Sequence, residues 1–292
     1  MKHAKSLKCL AALGTVFVLA GCITSATHFS RENVAMRLAT PAWMVDRIIP
    51  AGQFHLMAWE RMHERFKPAD IYIEGDGEAL SWMSPDATPD YPVGLHLAAY
   101  DKAENVAFIA QPCQYTGMSN GEDCPESLYA ENRYSPAVIE AYNKALDNII
   151  AQYNIRGINL ITYGGSGAIA AELLKTRSDI ITWRSVADKL DKVAVDPKLA
   201  TVPQHHFIGG QDETVMPPEL HNYLQAVGPS ACVHHSFIQE NEHEDGWAEK
   251  WPELLKEPIE CPPPPAPEFD FEEVLPKRIY TPRDTSFKDP PK

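Results

Sequence analysis

The chain is short of positive charge, of metal-ligand spacings and of long apolar runs. It has 26 Lys and Arg against 40 Asp and Glu, a formal net charge of -14. Nucleic-acid phosphates and anionic lipid faces repel a chain this acidic, so neither DNA nor RNA is an expected partner. None of its six cysteines stands at C-x-x-C spacing, and its 11 histidines include no H-E-x-x-H and no i, i+4 pair. The adjacent pairs His205-His206 and His234-His235 fall on predicted strands, where neighbours point to opposite faces and cannot grip one ion together. Metal catalysis therefore has no support in the sequence, and no cofactor is expected. The apolar run Leu10 to Leu19 is too short to span a bilayer as a permanent helix.

What is present is ordinary for a globular chain: 44% hydrophobic and 23% charged residues over 292 positions, room for one large α/β domain or two small ones. Lys2, His3, Lys5 and Lys8 precede the apolar run, which ends Leu19-Ala20-Gly21-Cys22. This N-terminus resembles a bacterial lipoprotein signal, which implies cleavage after Gly21 and lipidation of Cys22. Several acyl chains on one residue make a lasting anchor. Ile23, in place of an Asp after the cysteine, implies the outer membrane facing the periplasm. The rival reading is a plain secretory signal with an incidental cysteine. Loss of the leader removes Lys2, Lys5 and Lys8 and no acid, leaving the mature chain about three charges more negative.

Four cysteines remain once Cys9 leaves with the leader and Cys22 is lipidated: Cys113, Cys124, Cys232 and Cys261. An even number suits disulfides in an oxidising compartment. Cys113 and Cys124 bracket a turn-rich stretch with Gly117, Asn120 and Gly121, which suits a local bridge and leaves Cys232 for Cys261. Four cysteines allow three pairings, and the sequence leaves the choice open.

The expected organisation is a signal at 1–21, a tether at 22–45, a domain at 46–256 and a tail at 257–292. Strands are expected at Phe54 to Ala58 (an edge), Asp70 to Glu74, Val106 to Ala110, Ile158 to Tyr163, Ile180 to Trp183, His205 to Ile208 and Cys232 to Ile238. Between them, Ser135-Pro136 starts a helix with the stripe Val138, Tyr142, Leu146, Ile149, Ile150 and Tyr153, and another begins near Pro218. Alternating strands and helices predict a mostly parallel sheet with helices on both faces. The tail, with Pro262 to Pro265 and Pro267, favours extended polyproline and builds no core.

The stretch with the most chemistry is Ile158 to Ala168: an apolar strand, then Gly164-Gly165-Ser166-Gly167-Ala168, then an Ala-rich helical pattern. It resembles the nucleophile elbow of the α/β-hydrolase family, G-x-S-x-G, with Ala168 at the last glycine. The alternative is the glycine-rich loop of a Rossmann-like fold. Downstream, Gly209-Gly210-Gln211-Asp212-Glu213 follows a strand, and His243-Glu244-Asp245-Gly246-Trp247 follows the last one. The order Ser166, Asp212, His243 is that of the family. The resemblance spans Asp70 to Trp247 and implies an α/β-hydrolase fold, and the crossover between Trp183 and His205 is too short for a large lid.

It further implies an acyl-enzyme on Ser166, His243 as base and then acid, and Asp212 orienting it, with Glu213 as the fallback acid. The expected reaction is hydrolysis of an ester, thioester or amide of a small acyl substrate. The oxyanion donors would be the N–H of Gly167 and, from the loop Glu74-Gly75-Asp76-Gly77, that of Asp76 or Gly77. Gln114 and Tyr115, after a strand's C-terminal end, are pocket candidates against the alternative of an ordinary loop. The rival function is a non-catalytic envelope lipoprotein that keeps the fold as a binding module.

Overall fold

Strands covered on both faces are largely apolar, and the central ones here are largely apolar and buried. In the computed structural model, which describes residues 31–77, 86–116 and 124–261, every residue of β4 (Asn105–Ile109) is buried. The same holds for four of five in β3 (Ala69–Ile73) and five of six in β5 (Ile158–Tyr163). The signal segment, Cys22, the Gly117–Gly121 turn and the chain beyond Cys261 lie outside the described residues.

Eight strands form one sheet in the order β1-β2-β4-β3-β5-β6-β7-β8. The remaining strands are β1 (Val45–Ala51), β2 (Phe54–Met62), β6 (Ile180–Val186), β7 (Gln204–Gly209) and β8 (Val233–Ile238). β1 and β2 pair antiparallel, as do β2 and β4, and every other pairing is parallel. Register is carried by large side chains in line: Ile71 opposite Leu160, and Leu160 opposite Trp183. Because β3 and β5 to β8 run the same way, the loops that follow them leave from one edge. This is the edge at which open α/β sheets gather their ligand sites.

Helices cover both faces. α3 (Pro136–Tyr153), α4 (Gly167–Thr176) and α5 (Pro217–Val227) bury Leu146, Ile169 and Leu220 in one core. α1 (residues 31–39), α2 (Val93–Tyr100) and α6 (Trp247–Leu254) place Ala35, Leu97 and Trp251 in the other. Among the described residues no helix is long and apolar enough to cross a membrane.

Three boundaries differ from the expectation. Residues 31–39 of the expected tether are helical, with Ala35 and Ala39 fully buried and Arg31 bonded to Asp90. The strand at Phe54 is second from the edge, because Val45–Ala51 pairs outside it. The compact unit continues past residue 256 to Cys261. There Arg184 donates to Leu255 O, His205 Nδ1 to Pro258 O, and Cys232 bonds Cys261. The second disulfide joins Cys113 and Cys124. α2 and α6 were without a sequence signal: α2 is apolar nearly all round, and Pro252 interrupts the pattern of α6.

Leu160, fully buried between Ile71 and Trp183, tests this packing. Leu160→Ala should lower unfolding stability by roughly 2–5 kcal/mol in a urea titration, since the side chain's transfer energy is lost and a cavity remains.

Candidate functional site

Four loops meet at the C-terminal edge of the sheet. The loop after β7 carries Asp212, buried, and Glu213, exposed. Asp212 Oδ1 accepts the N–H groups of Thr214 and Val215, both at 2.8 Å. Its Oδ2 lies 3.0 Å from His243 Nδ1. A carboxylate only accepts, so Nδ1 carries the proton and Nε2 is left as acceptor. Burial opposes the charge on Asp212, but the His243 hydrogen bond and the two N–H groups outweigh it and hold the pKa below the usual carboxylate value.

The histidine loop is fixed by its own neighbours. Trp247 Nε1 donates to His243 O at 3.0 Å, Tyr163 OH to the same oxygen at 3.4 Å, and the Tyr163 ring packs on the imidazole at 5.4 Å. Asp212 and His243 border a polar cleft of about 670 Å³ with Glu213, Thr214 and Glu242. The structure thus brings two of the three expected triad members together.

Ser166 makes no hydrogen bond to either of them. The residue that turns the chain directly after β5 is Gly164, with φ +67°. A left-handed turn at this point is what the elbow asks of its nucleophile. A Cβ on Gly164 would stand 3.4 Å from Gly75 Cα and 3.9 Å from Asp76 N, in ordinary contact with the loop after β3. Ser166 comes two residues later, at the cap of α4, with right-handed helical angles (φ -88°, ψ -3°). Its side chain is fully buried. The hydroxyl bonds Ile73 O at 3.1 Å and Tyr163 O at 3.0 Å and accepts the Tyr163 N–H at 3.1 Å. His243 is not among its partners.

The N–H groups expected to serve as oxyanion donors differ in their surroundings. The Gly167 N–H is engaged by Asp188 Oδ1 at 3.0 Å. Burial leads the forces that raise the Asp188 pKa to about 6. The N–H groups of Gly165, next after Gly164, and of Asp76 have no hydrogen-bond partner among the described residues. They are the two open donors at this edge of the elbow. Gly77, the second choice, is exposed and approaches Ala87 O and Gln114 Nε2.

Gln114 and Tyr115 do not line the cleft. Gln114 is fully buried, and its Nε2 reaches Ala87 O at 3.3 Å and Gly75 O at 3.4 Å, while Gln111 Nε2 donates to Gly75 O at 2.8 Å. The two amides hold the carbonyls of the Glu74–Asp76 loop and so aim its N–H groups. Tyr115 packs edge-on against Trp59. Both neighbours of Gln114, Cys113 and Tyr115, have left-handed φ (+69° and +63°), strain concentrated where that side chain is presented.

Reasoning on the sequence missed Gly164 and Gly165, the supporting Gln111, and the cations Arg133 and Lys189 that meet Asp76. The first glycine after the apolar run was the available signal for Gly164. The cations lie in polar segments with no motif. Another serine–histidine contact, Ser185 to His206 at 2.7 Å, sits inside the sheet with burial driving the imidazole to about 3. Gln204 occupies its other nitrogen, so this is a packed polar bridge.

The architecture has solved counterparts. A putative α/β-hydrolase from Agrobacterium tumefaciens superimposes with TM-score 0.58 at 14% identity, over 75% of this chain and all of that one. A putative hydrolase from Bacillus subtilis gives TM-score 0.54 at 9% identity, over 80% and 98%. A serine hydrolase without a lid from Xanthomonas campestris gives 0.51 at 12%, over 75% and 97%. The fold is that of the α/β-hydrolases. No protein-family model matches the chain, and no curated protein matches it. The loops after β3, β5, β7 and β8 carry Asp76, Gly164, Asp212 and His243 in turn.

Glu74, which ends β3, supports the loop from below. Its Oε1 accepts the N–H groups of Gly75 at 2.9 Å and Gly94 at 3.2 Å. Burial raises its pKa to about 7. The folded chain therefore holds this proton more tightly than the unfolded one, and stability falls as pH rises from near 4.5 towards 7. Glu74→Gln keeps the acceptor and removes the charge. Denaturant titrations from pH 4.5 to 7.5 should show the wild type losing on the order of 3 kcal/mol relative to that variant.

Proposed function

We propose that this α/β-hydrolase-fold chain is a binding member of its fold, which holds a small acyl or carboxylate ligand beside Gly164, Gly165, Asp76 and His243 and forms no acyl-enzyme on Ser166. One observation carries the reading. The turn residue of the elbow has no side chain, while the nearby hydroxyl is buried and engaged by main-chain atoms of β3 and β5. A nucleophile must reach both the base and the substrate carbonyl, and a hydroxyl in this setting does neither. The lipoprotein-like N-terminus supports the same protein's being anchored through Cys22 in the cell envelope, facing the periplasm.

The Asp212–His243 pair supports a second reading within the enzyme class. His243 Nε2, free to accept a proton, would activate water for direct attack on an ester with no covalent intermediate.

A fluorophosphonate probe and p-nitrophenyl acetate separate these readings. The wild type and Ser166→Ala should both remain unlabelled and without turnover. Gly164→Ser should gain labelling, at a strain cost of about 1–2 kcal/mol for a left-handed serine, with its fold checked by circular dichroism. Wild-type labelling abolished by Ser166→Ala would restore the acyl-enzyme. Wild-type turnover abolished by His243→Ala but not by Ser166→Ala would establish direct water attack.

A further inference from the structure

Beside Gly165 three charged side chains converge. Asp76 Oδ2 meets Arg133 Nη1 at 2.5 Å and Lys189 Nζ at 2.8 Å. Asp76 Oδ1 is buried without a hydrogen-bond partner, and a Cβ on Gly165 would fall 1.8 Å from it. Only a glycine lets the carboxylate lie there. Arg133 Nε is buried and unpartnered too. The open N–H groups of Gly165 and Asp76 belong to the same two residues.

Carboxylates bind best when both oxygens accept, typically from the parallel N–H groups of one guanidinium. Asp76 falls short of this, since one oxygen takes both cations and the other takes no donor. Arg133 Nη2 donates to Tyr129 O at 2.6 Å, so the donors the seat leaves unused are Arg133 Nε and the N–H groups of Gly165 and Asp76, in a chain of net charge -14. Tyr134, whose hydroxyl donates to Gly165 O at 2.9 Å, closes one side, and buried Asp188 lies beyond Gly167.

We propose that Arg133 and Lys189 are the recognition cations for the carboxylate of a small ligand, and that the Asp76 side chain competes with that ligand for them. The assignment deepens the binding reading of the site and rests on it. A carboxylate is favoured over a phosphate because the group already seated on these cations is a carboxylate. An internal competitor lowers apparent affinity by the fraction of molecules in which it holds the seat. Removing its charge must therefore tighten binding, an effect opposite to that of damaging a structural ion pair.

Isothermal titration of the full chain in detergent, at low salt, with acetate, octanoate and inorganic phosphate tests this. Asp76→Asn should bind both carboxylates about 10-fold more tightly than the wild type. Arg133→Gln and Lys189→Gln should each weaken them about 10-fold, in the wild-type and the Asp76→Asn backgrounds alike, with Arg133→Lys in between. Circular dichroism checks each fold, and Asp76→Asn keeps the test decisive should a cation variant fail to fold. Carboxylate binding absent or unmoved by these changes, weaker binding by Asp76→Asn, or tighter binding of phosphate than of acetate would overturn the assignment. A Ser166 that reacts with fluorophosphonate would overturn the binding reading instead, whatever these affinities are.

Discussion

One hydroxyl ties together the two strands from which the candidate site departs. Ser166 Oγ bonds Ile73 O at the end of β3 and Tyr163 O at the end of β5, and it takes the Tyr163 N–H in return. These strands are neighbours in the sheet. The loop after β3 presents the Asp76 N–H, and the turn after β5 presents that of Gly165. Their relative placement thus depends on a buried side chain common to both. The hydroxyl's single proton is shared between the two carbonyls. Disturbing it takes that donor from Ile73 O, while Tyr163 O keeps the Ser166 N–H at 3.2 Å. A buried carbonyl that loses its donor costs on the order of 1–3 kcal/mol. Ser166 has a sufficient structural reason to be a serine.

The same reasoning applies to the acid and the histidine. Asp212 Oδ1 closes its own loop through Thr214 and Val215, and its other oxygen needs a donor that His243 provides. Removing the imidazole would leave a buried carboxylate half-satisfied, so the pair stabilises the loops whether or not it moves protons. Its presence argues for the fold and is neutral on the reaction. What separates a hydrolase from a binding protein here is a nucleophile that Nε2 of the imidazole can reach.

Much of the architecture was legible in the sequence, because apolar runs bounded by glycine and proline mark buried parallel strands. The runs at 106–110 and 158–163 are examples, and the acid and histidine follow their strands by position alone. The elbow was harder. In Gly164-Gly165-Ser166-Gly167, three of four residues adopt a left-handed turn at no cost, and the G-x-S-x-G spacing points to Ser166 whereas the left-handed residue is Gly164. Counting from the strand end points to that glycine: Tyr163 is the last residue of β5, and the turn comes at the next position. The role of Gln114 was illegible for another reason. Its Oε1 accepts the nearby Gln111 N–H, but its Nε2 contacts the carbonyls of Gly75 and Ala87, far off in sequence, so no local pattern encodes them. Arg133 and Lys189 meet only through Asp76, which is likewise a property of the fold.

Backbone energetics point the same way as the hydrogen bonds. A non-glycine residue held at φ near +67° carries about 1–2 kcal/mol of strain, which a hydrolase tolerates because that geometry aims its nucleophile. Glycine at position 164 relieves the strain and removes the group it would aim. The two open N–H groups remain, and so does the cleft beside His243. Under the binding reading, what is left is a preorganised set of donors on an unstrained turn, suited to holding negative charge that stays in place.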